Sequence, residues 1–232
     1  MKSYNGEKAI ISLTTWKARI NTVGKTLYSL IKNCPGFHIV LVLSEEEFPQ
    51  KEKELPEELM LFVDNDLIEI LWVYKNYKAF KKVLFTMDKY RDVPVISADD
   101  DYIYFKNYAQ EFYDIWKRNK DCFVTYKVSI NHRCNFNETW GFATLHPPYA
   151  YKEYGLKYID SLGIERNECT SDDTYYAVLR EITNNKKIIN LRKKVKDVAY
   201  MNCKNDSLYE VRKKLNNGDS EMRKYLNLMK RN

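Results

Sequence analysis

The sequence predicts an α/β domain built on a mostly parallel sheet covered by helices on both faces. Two observations point to this class. Near-continuous apolar runs of strand length recur, as in "KAIISL", "FHIVLVLS", "IEILWVY" and "VPVIS". Between them lie stretches with apolar residues at helical spacing, and that alternation implies parallel strands joined by crossover helices. The composition can sustain it: 44% of the 232 residues are hydrophobic and 30% charged, enough to bury a core.

Each element follows in order. Residues 8–13 read as a buried strand. Val23, Leu27, Leu30 and Ile31 then share a helical face, and "NCPG" stops that helix. Residues 37–44 form a second strand. A charged loop and a short helix near residues 56–62 precede a third strand at 68–74. Residues 78–90 place Phe80, Val83, Leu84 and Met87 on one face. Residues 93–97 are a fourth strand, and residues 106–119 a helix with Tyr108, Phe112, Ile115 and Trp116 inward. Beyond residue 120, "DCFVTYKVSI" and "TWGFATL" read as strands separated by the polar loop "NHRCNFNE". A helix after "SDD" carries Tyr176, Leu179 and Ile182, and "KKIINL" reads as a last strand. Two tail helices follow. One opens on a capping box of Ser207 with Glu210 and carries Leu208, Val211 and Leu215; the other carries Met222, Leu226 and Met229.

Bulk properties exclude several classes. No run of about 18 apolar residues exists, so no spanning helix is expected. The apolar stretch near the N-terminus is shorter than a signal-peptide core of roughly 7–15 residues. Five Cys, scattered and without a C-x-x-C pair, argue against a disulfide framework or structural zinc and fit a reducing cytoplasm. The net charge of +6 is uneven: residues 186–232 hold fourteen Lys and Arg against five Asp and Glu, a net of +9, which leaves the rest at −3. Such a tail suits an anionic surface, or is simply a solvated basic face.

Asp99, Asp100 and Asp101 follow the fourth strand directly, where an α/β sheet carries its ligands. Three adjacent carboxylates are tolerable in a solvated turn, or with a divalent cation that bridges them to phosphate. The apolar and aromatic flanks, "VPVIS" and "YIYF", leave little room for a solvated loop. "GKT" at residues 24–26 is not a phosphate loop, because Arg19 stands where the first Gly would be. Thr14, Thr15 and Arg19 at the end of the first strand suit a nucleotide, or ordinary turn chemistry. Lys78 and Lys82 are four apart and share a helical face, ready for a diphosphate or for solvent. Asp172 and Asp173 open the helix after "TS": a Thr170–Asp173 capping box accounts for one carboxylate, and a general base for the other reading. His132 and Cys134 lack partners at metal spacing, and His146 reads as a turn or pocket residue.

Taken in order, "ISLTTWKARI…TLYSLI", "LVLSEEEFP", "LPEEL", "NYKAFKK", "VISADDDYIY" and "SDDTYYAVL" resemble bacterial glycosyltransferases that use nucleotide-diphosphate sugars, above all small enzymes of capsular or surface polysaccharide assembly. The resemblance covers roughly residues 10–180. It implies a GT-A fold, Rossmann-like, over residues 1–190, with residues 191–232 a basic helical extension packed on or tethered to it. It implies an Asp-X-Asp motif holding Mn2+ or Mg2+ on the donor diphosphate, with Asp101 on the metal, Asp99 on the metal or the ribose, and Asp100 between them. Thr14, Thr15 and Arg19 would line the nucleotide pocket, and Lys78 and Lys82 would lie near the phosphates. Asp173, with Asp172 beside it, matches the carboxylate that deprotonates the acceptor hydroxyl, and a single base opposite the leaving group suggests inversion. The implied partners are a nucleotide-diphosphate sugar and a glycan or lipid-linked glycan, with no nucleic acid. The implied location is cytoplasmic, with the tail a candidate for peripheral contact with an anionic inner membrane face. The rival readings are a nucleotidyltransferase and a catalytically silent glycan- or nucleotide-binding domain.

Overall fold

The computed structural model describes residues 8–131, 135–152, 154–201 and 218–230. The four apolar runs form β1 (Ile10–Thr14), β2 (His38–Ser44), β3 (Glu69–Val73) and β4 (Val95–Ser97). β1 lies between β2 and β4, and β3 flanks β2, all in parallel. The connections carry α1 (Val23–Asn33), α2 (Glu57–Asp64) and α3 (Lys81–Lys89). Strand side chains alternate between the two faces. Ile11, Leu13, Leu41 and Leu43 therefore join Leu27 and Leu30 of α1 in one core, while Ile10, Val40 and Val42 join Val73 in another. Burial on both faces is why these strands read as continuous apolar runs.

Downstream come β5 (Tyr102–Tyr104), α4 (Tyr108–Arg118), β6 (Phe123–Thr125), β7 (Val128–Asn131), β8 (Phe136–Thr139) and β9 (Thr144–His146). The last elements are α5 (Tyr154–Lys157), α6 (Asp172–Ile182), β10 (Ile188–Asn190), β11 (Ala199–Met201) and α7 (Gly218–Met229). The main sheet has seven strands in the order β10-β6-β9-β4-β1-β2-β3. β9 runs antiparallel to both of its neighbours, β4 and β6, so the sheet is mixed but mostly parallel.

Three expectations change. "DCFVTYKVSI" is not one strand: it leaves the main sheet at Tyr126 and enters a β7–β8 hairpin. Tyr126 turns its ring into the core instead, where its hydroxyl donates to Glu111 Oε2 at 3.1 Å. "TWGFATL" likewise divides between β8 and β9 around Gly141. His146 is not a turn residue but a buried member of β9, with Nδ1 2.8 Å from the Tyr151 hydroxyl; burial, with Arg180 and Lys82 nearby, holds its pKa well below the ordinary value.

The C-terminal extension is not helical throughout. β11 pairs antiparallel with β5, directly after the Asp triplet. The first expected tail helix lies outside the described residues, as do Arg212, Lys213 and Lys214. The second is α7, but its buried side is Glu221, Met222, Tyr225 and Leu228 rather than the stripe through Leu226 and Met229. Packing against α6 selects that side, with Tyr225 stacked near Tyr175 at 6.1 Å between ring centroids. Among the described residues, no helix is long and apolar enough to cross a membrane.

Candidate active site

β1 and β4 end side by side, with Ser12 opposite Ser97. The loops that follow them, and the starts of α3 and α6, meet at this carboxyl edge of the sheet. The Asp triplet is held rigidly. Thr15 Oγ1 donates to Asp100 Oδ2 at 2.5 Å, Arg19 Nη1 to Asp100 Oδ1 at 2.7 Å, and Thr26 Oγ1 to the Asp100 carbonyl at 2.8 Å. Arg19 also lies 3.2 Å from Asp101 Oδ2. The aromatic flank serves the same loop. The Asp99 amide donates to the Tyr104 hydroxyl at 2.8 Å, and the Tyr108 hydroxyl donates to the Ser97 carbonyl at 2.7 Å.

Asp100 is buried and Asp101 nearly so. Burial is the largest influence on both and pushes both pKa values up. Asp101 reaches about 6, with Asp99 and Asp100 adding repulsion that Arg19 only partly offsets. Thr14 stands apart, its hydroxyl donating to the Val42 carbonyl in β2 at 2.7 Å.

The lysines separate. Only Lys82 enters the acidic cluster. Its Nζ lies 2.7 Å from Asp99 Oδ1 and 3.0 Å from Asp172 Oδ2, so one cation joins the loop after β4 to the start of α6. Burial alone would lower its pKa, but Asp172, Asp99 and Asp173 outweigh burial and raise it, so Lys82 stays protonated. The first turn of α3 is bound to β1, where Ser12 Oγ lies 2.7 Å from Thr86 Oγ1 and also donates to the Lys82 carbonyl. Lys78 does not share the face of Lys82 as the spacing implied. It sits in a 3-10 turn with φ of +50° and donates to Asn167 Oδ1. Lys81 is buried against Glu47 and Asn76.

The expected capping box is absent from α6. Ser171 is the cap and accepts from the Thr174 amide at 3.3 Å, which leaves Asp172 and Asp173 in the first turn without a capping duty. Asp173 Oδ1 is buried with no hydrogen-bond partner among the described residues. Burial, then Asp172, raise its pKa well above the usual carboxylate range, and Lys82 only partly counters them.

Gly141, between β8 and β9, lies against this pair. A Cβ there would sit 2.5 Å from Asp173 Oδ1 and 3.1 Å from Lys82 Nζ, so only glycine fits. Glu138 of β8 completes the surroundings, accepting from Thr174 Oγ1 at 2.6 Å. The sequence reading missed Gly141 and Glu138. A glycine inside an apparent strand was the available signal for the first, since it marks close approach of another group.

Among the described residues, no three Asp, Glu, His or Cys side chains form a closed metal cage. The donor set nonetheless suits a hard divalent cation. Mg2+ typically takes one or two carboxylates and completes its shell with water and substrate phosphates, and the mutual repulsion at Asp101 is what a cation would relieve.

The fold is of the GT-A type, a mostly parallel central sheet flanked by helices. The solved structures it resembles include TarS residues 1–349 of S. aureus in complex with UDP-GlcNAc, at 12% identity and a TM-score of 0.54, over 88% of this chain and 61% of that one. TarS 1–349 in a second structure matches at 12% identity and a TM-score of 0.50, over 84% of this chain and 60% of that one. GlyE of Streptococcus pneumoniae matches at 12% identity and a TM-score of 0.47, over 79% of this chain and 46% of that one. The chain thus spans less than two thirds of each. No protein-family model matches it, and no match is found among curated proteins.

Proposed function

We propose that this chain is a glycosyltransferase that moves a sugar from a nucleotide-diphosphate donor to a hydroxyl of a glycan acceptor of the cell-surface kind, with inversion. The observation that carries the proposal is Lys82, a buried cation that ties the acidic loop after β4 to the acidic start of α6. A donor diphosphate and an acceptor hydroxyl need those two kinds of acidic group side by side. The GT-A fold shared with TarS, whose structure holds UDP-GlcNAc, supports the choice of donor class.

On this reading Asp99 and Asp101 would hold Mn2+ or Mg2+, which when bound would stabilise charge on the departing diphosphate. Asp100 works from behind: by holding Arg19 and Thr15 it orders the loop on which Asp99 and Asp101 stand. Lys82 provides a preorganised positive charge between the donor and acceptor sides. Asp173 takes the proton of the acceptor hydroxyl as that oxygen attacks the anomeric carbon. The proposal extends to location: a cytoplasmic enzyme whose exposed Arg223 and Lys230 face an anionic membrane surface where lipid-linked acceptors reside.

The test is release of nucleoside diphosphate from a panel of sugar nucleotides led by UDP-GlcNAc, with and without Mn2+, for the native protein and Asp101→Asn. The expected result is Mn2+-dependent release by the native protein and a loss of about 10- to 100-fold in the variant, on the scale seen when a metal site loses a supporting group. Release that ignores both Mn2+ and the substitution would break the metal assignment.

A further inference from the structure

Ser171 caps α6, and the amides of Thr170 and Ser171 precede the helix, beyond reach of its own carbonyls. Both are taken by one side chain from the far end of the chain. Glu221 Oε1 accepts from the Thr170 amide at 2.7 Å and from the Ser171 amide at 2.8 Å, while Glu221 Oε2 lies 3.3 Å from Thr170 Oγ1. Glu221 is 1% exposed. The Tyr225 hydroxyl, one turn along α7, lies 2.9 Å from the Ser171 carbonyl and 3.1 Å from Glu221 Oε1. Lys224 of the same helix pairs with Glu168. α7 therefore grips residues 168–171 at the amides of Thr170 and Ser171, the Ser171 carbonyl and the Glu168 side chain, immediately before the two carboxylates of the site.

The arrangement is costly as mere packing. A buried carboxylate loses its hydration, and here it approaches a helix start that already carries Asp172 and Asp173. A neutral acceptor, such as a glutamine side-chain oxygen, could take a bond from these amides without adding charge. What a carboxylate adds is two strong, charge-assisted bonds to consecutive amides, which fix the direction in which the chain enters α6. That direction sets where Asp172 meets Lys82 and where Asp173 lies against Gly141, a contact so close that the glycine has no room for a side chain.

We propose that Glu221 and Tyr225 of α7 are positioning residues of the active site, aligning Asp172 and Asp173 through the backbone of Thr170 and Ser171. The inference rests on the reading of Asp173 as the base. The C-terminal segment is then part of the catalytic apparatus, and removing it would disable turnover whatever it does at a membrane.

The test compares Glu221→Ala, Glu221→Gln and Tyr225→Phe with the native protein, and with Asn227→Ala on the exposed side of α7 as a control. Two quantities are read: UDP released from UDP-GlcNAc as separate kcat and KM, and amide hydrogen exchange over residues 170–174. Glu221→Ala is expected to lower kcat by about 10- to 100-fold, the scale of a small misplacement at a reacting centre. Its KM for donor should stay within about twofold, since donor binding does not use this segment. Exchange at residues 170–174 should quicken by about tenfold while β1 and β2 are unchanged. Glu221→Gln keeps one acceptor oxygen and should recover part of the turnover, and Asn227→Ala should match the native protein.

Faster exchange with native kcat would overturn the proposal by making α7 structural only, and KM rising in step with the fall in kcat would overturn it by moving the effect to the donor side. Unchanged exchange in Glu221→Ala would overturn it without need of any substrate. If Glu221→Ala fails to fold, Tyr225→Phe and Glu221→Gln decide by the same readings at native melting temperature. Asp173→Asn run alongside separates the two ideas: native turnover in that variant sinks the base assignment, while the exchange result still reports whether α7 holds the segment.

Discussion

Asp99–Asp101 and Asp172–Asp173 are both runs of adjacent carboxylates at the same edge of the sheet, yet their charge is managed differently. The triplet is held by hydroxyls and by Arg19, all on elements close to β1 and β4, and its middle residue is spent on that attachment. Among the described residues, no arginine pairs with Asp172 or Asp173. Asp172 leans on Lys82 from α3, Asp173 keeps a bare oxygen against Gly141, and the backbone before them is gripped by α7. Identical side chains thus acquire different chemistry from their partners. The triplet is a braced anionic platform, proposed to hold a cation and phosphate, whereas the pair contains a carboxylate whose burial makes it hold a proton more tightly.

The largest expected effect tests whether the pair does the chemistry. Asp173→Asn conserves shape and removes the proposed base, so kcat should fall by about 100- to 10,000-fold while donor affinity measured by calorimetry is kept. Affinity falling as steeply as turnover would erase the distinction between the two runs.

Lys82→Met comes next, because Lys82 pairs with both Asp99 and Asp172. Leaving Asp99, Asp172 and Asp173 around an uncharged side chain breaks a buried ion network, at a cost of about 3–5 kcal/mol. For a chain of this size the melting temperature should drop by roughly 6–20 °C. A melting point unchanged to within about 2 °C would mean that the carboxylates are held apart without the lysine.

The smallest effect sharpens the comparison further. Gly141→Ala forces a Cβ onto Asp173 Oδ1 and close to Lys82. Overpacking of this kind costs about 1–3 kcal/mol, and it should reduce turnover while leaving the nucleotide binding proposed for the triplet intact. A variant with lower nucleotide affinity and native turnover would place Gly141 on the donor side instead.

Much of this was legible in advance, for identifiable reasons. β1 to β4 are buried on both faces, so their sequences carry little besides apolar residues and declare themselves. The triplet was legible because it follows β4 without a break, at the strand end where such sheets bind ligands. The role of its aromatic flank was not: Tyr104 and Tyr108 hold the Asp loop through their hydroxyls, which hydropathy registers only as core. The shared face of Lys78 and Lys82 failed because the chain takes a left-handed residue at Lys78 before α3 begins. The capping box failed because Glu221, fifty residues beyond Ser171, had already claimed the amides at the start of α6.

By itself the sequence determined the class of fold, the succession of strands and helices through β4, and the edge of the sheet at which the acidic groups gather. Those properties follow from local periodicity and burial, which each segment records in its own residues. Only the tertiary structure decided that Lys82 bridges Asp99 and Asp172, that Gly141 lies against Asp173, and that α7 closes the site from behind. A charge or a hydrogen-bond donor carries no mark of its partner, and when that partner lies tens of residues away the pairing is set by how the elements pack.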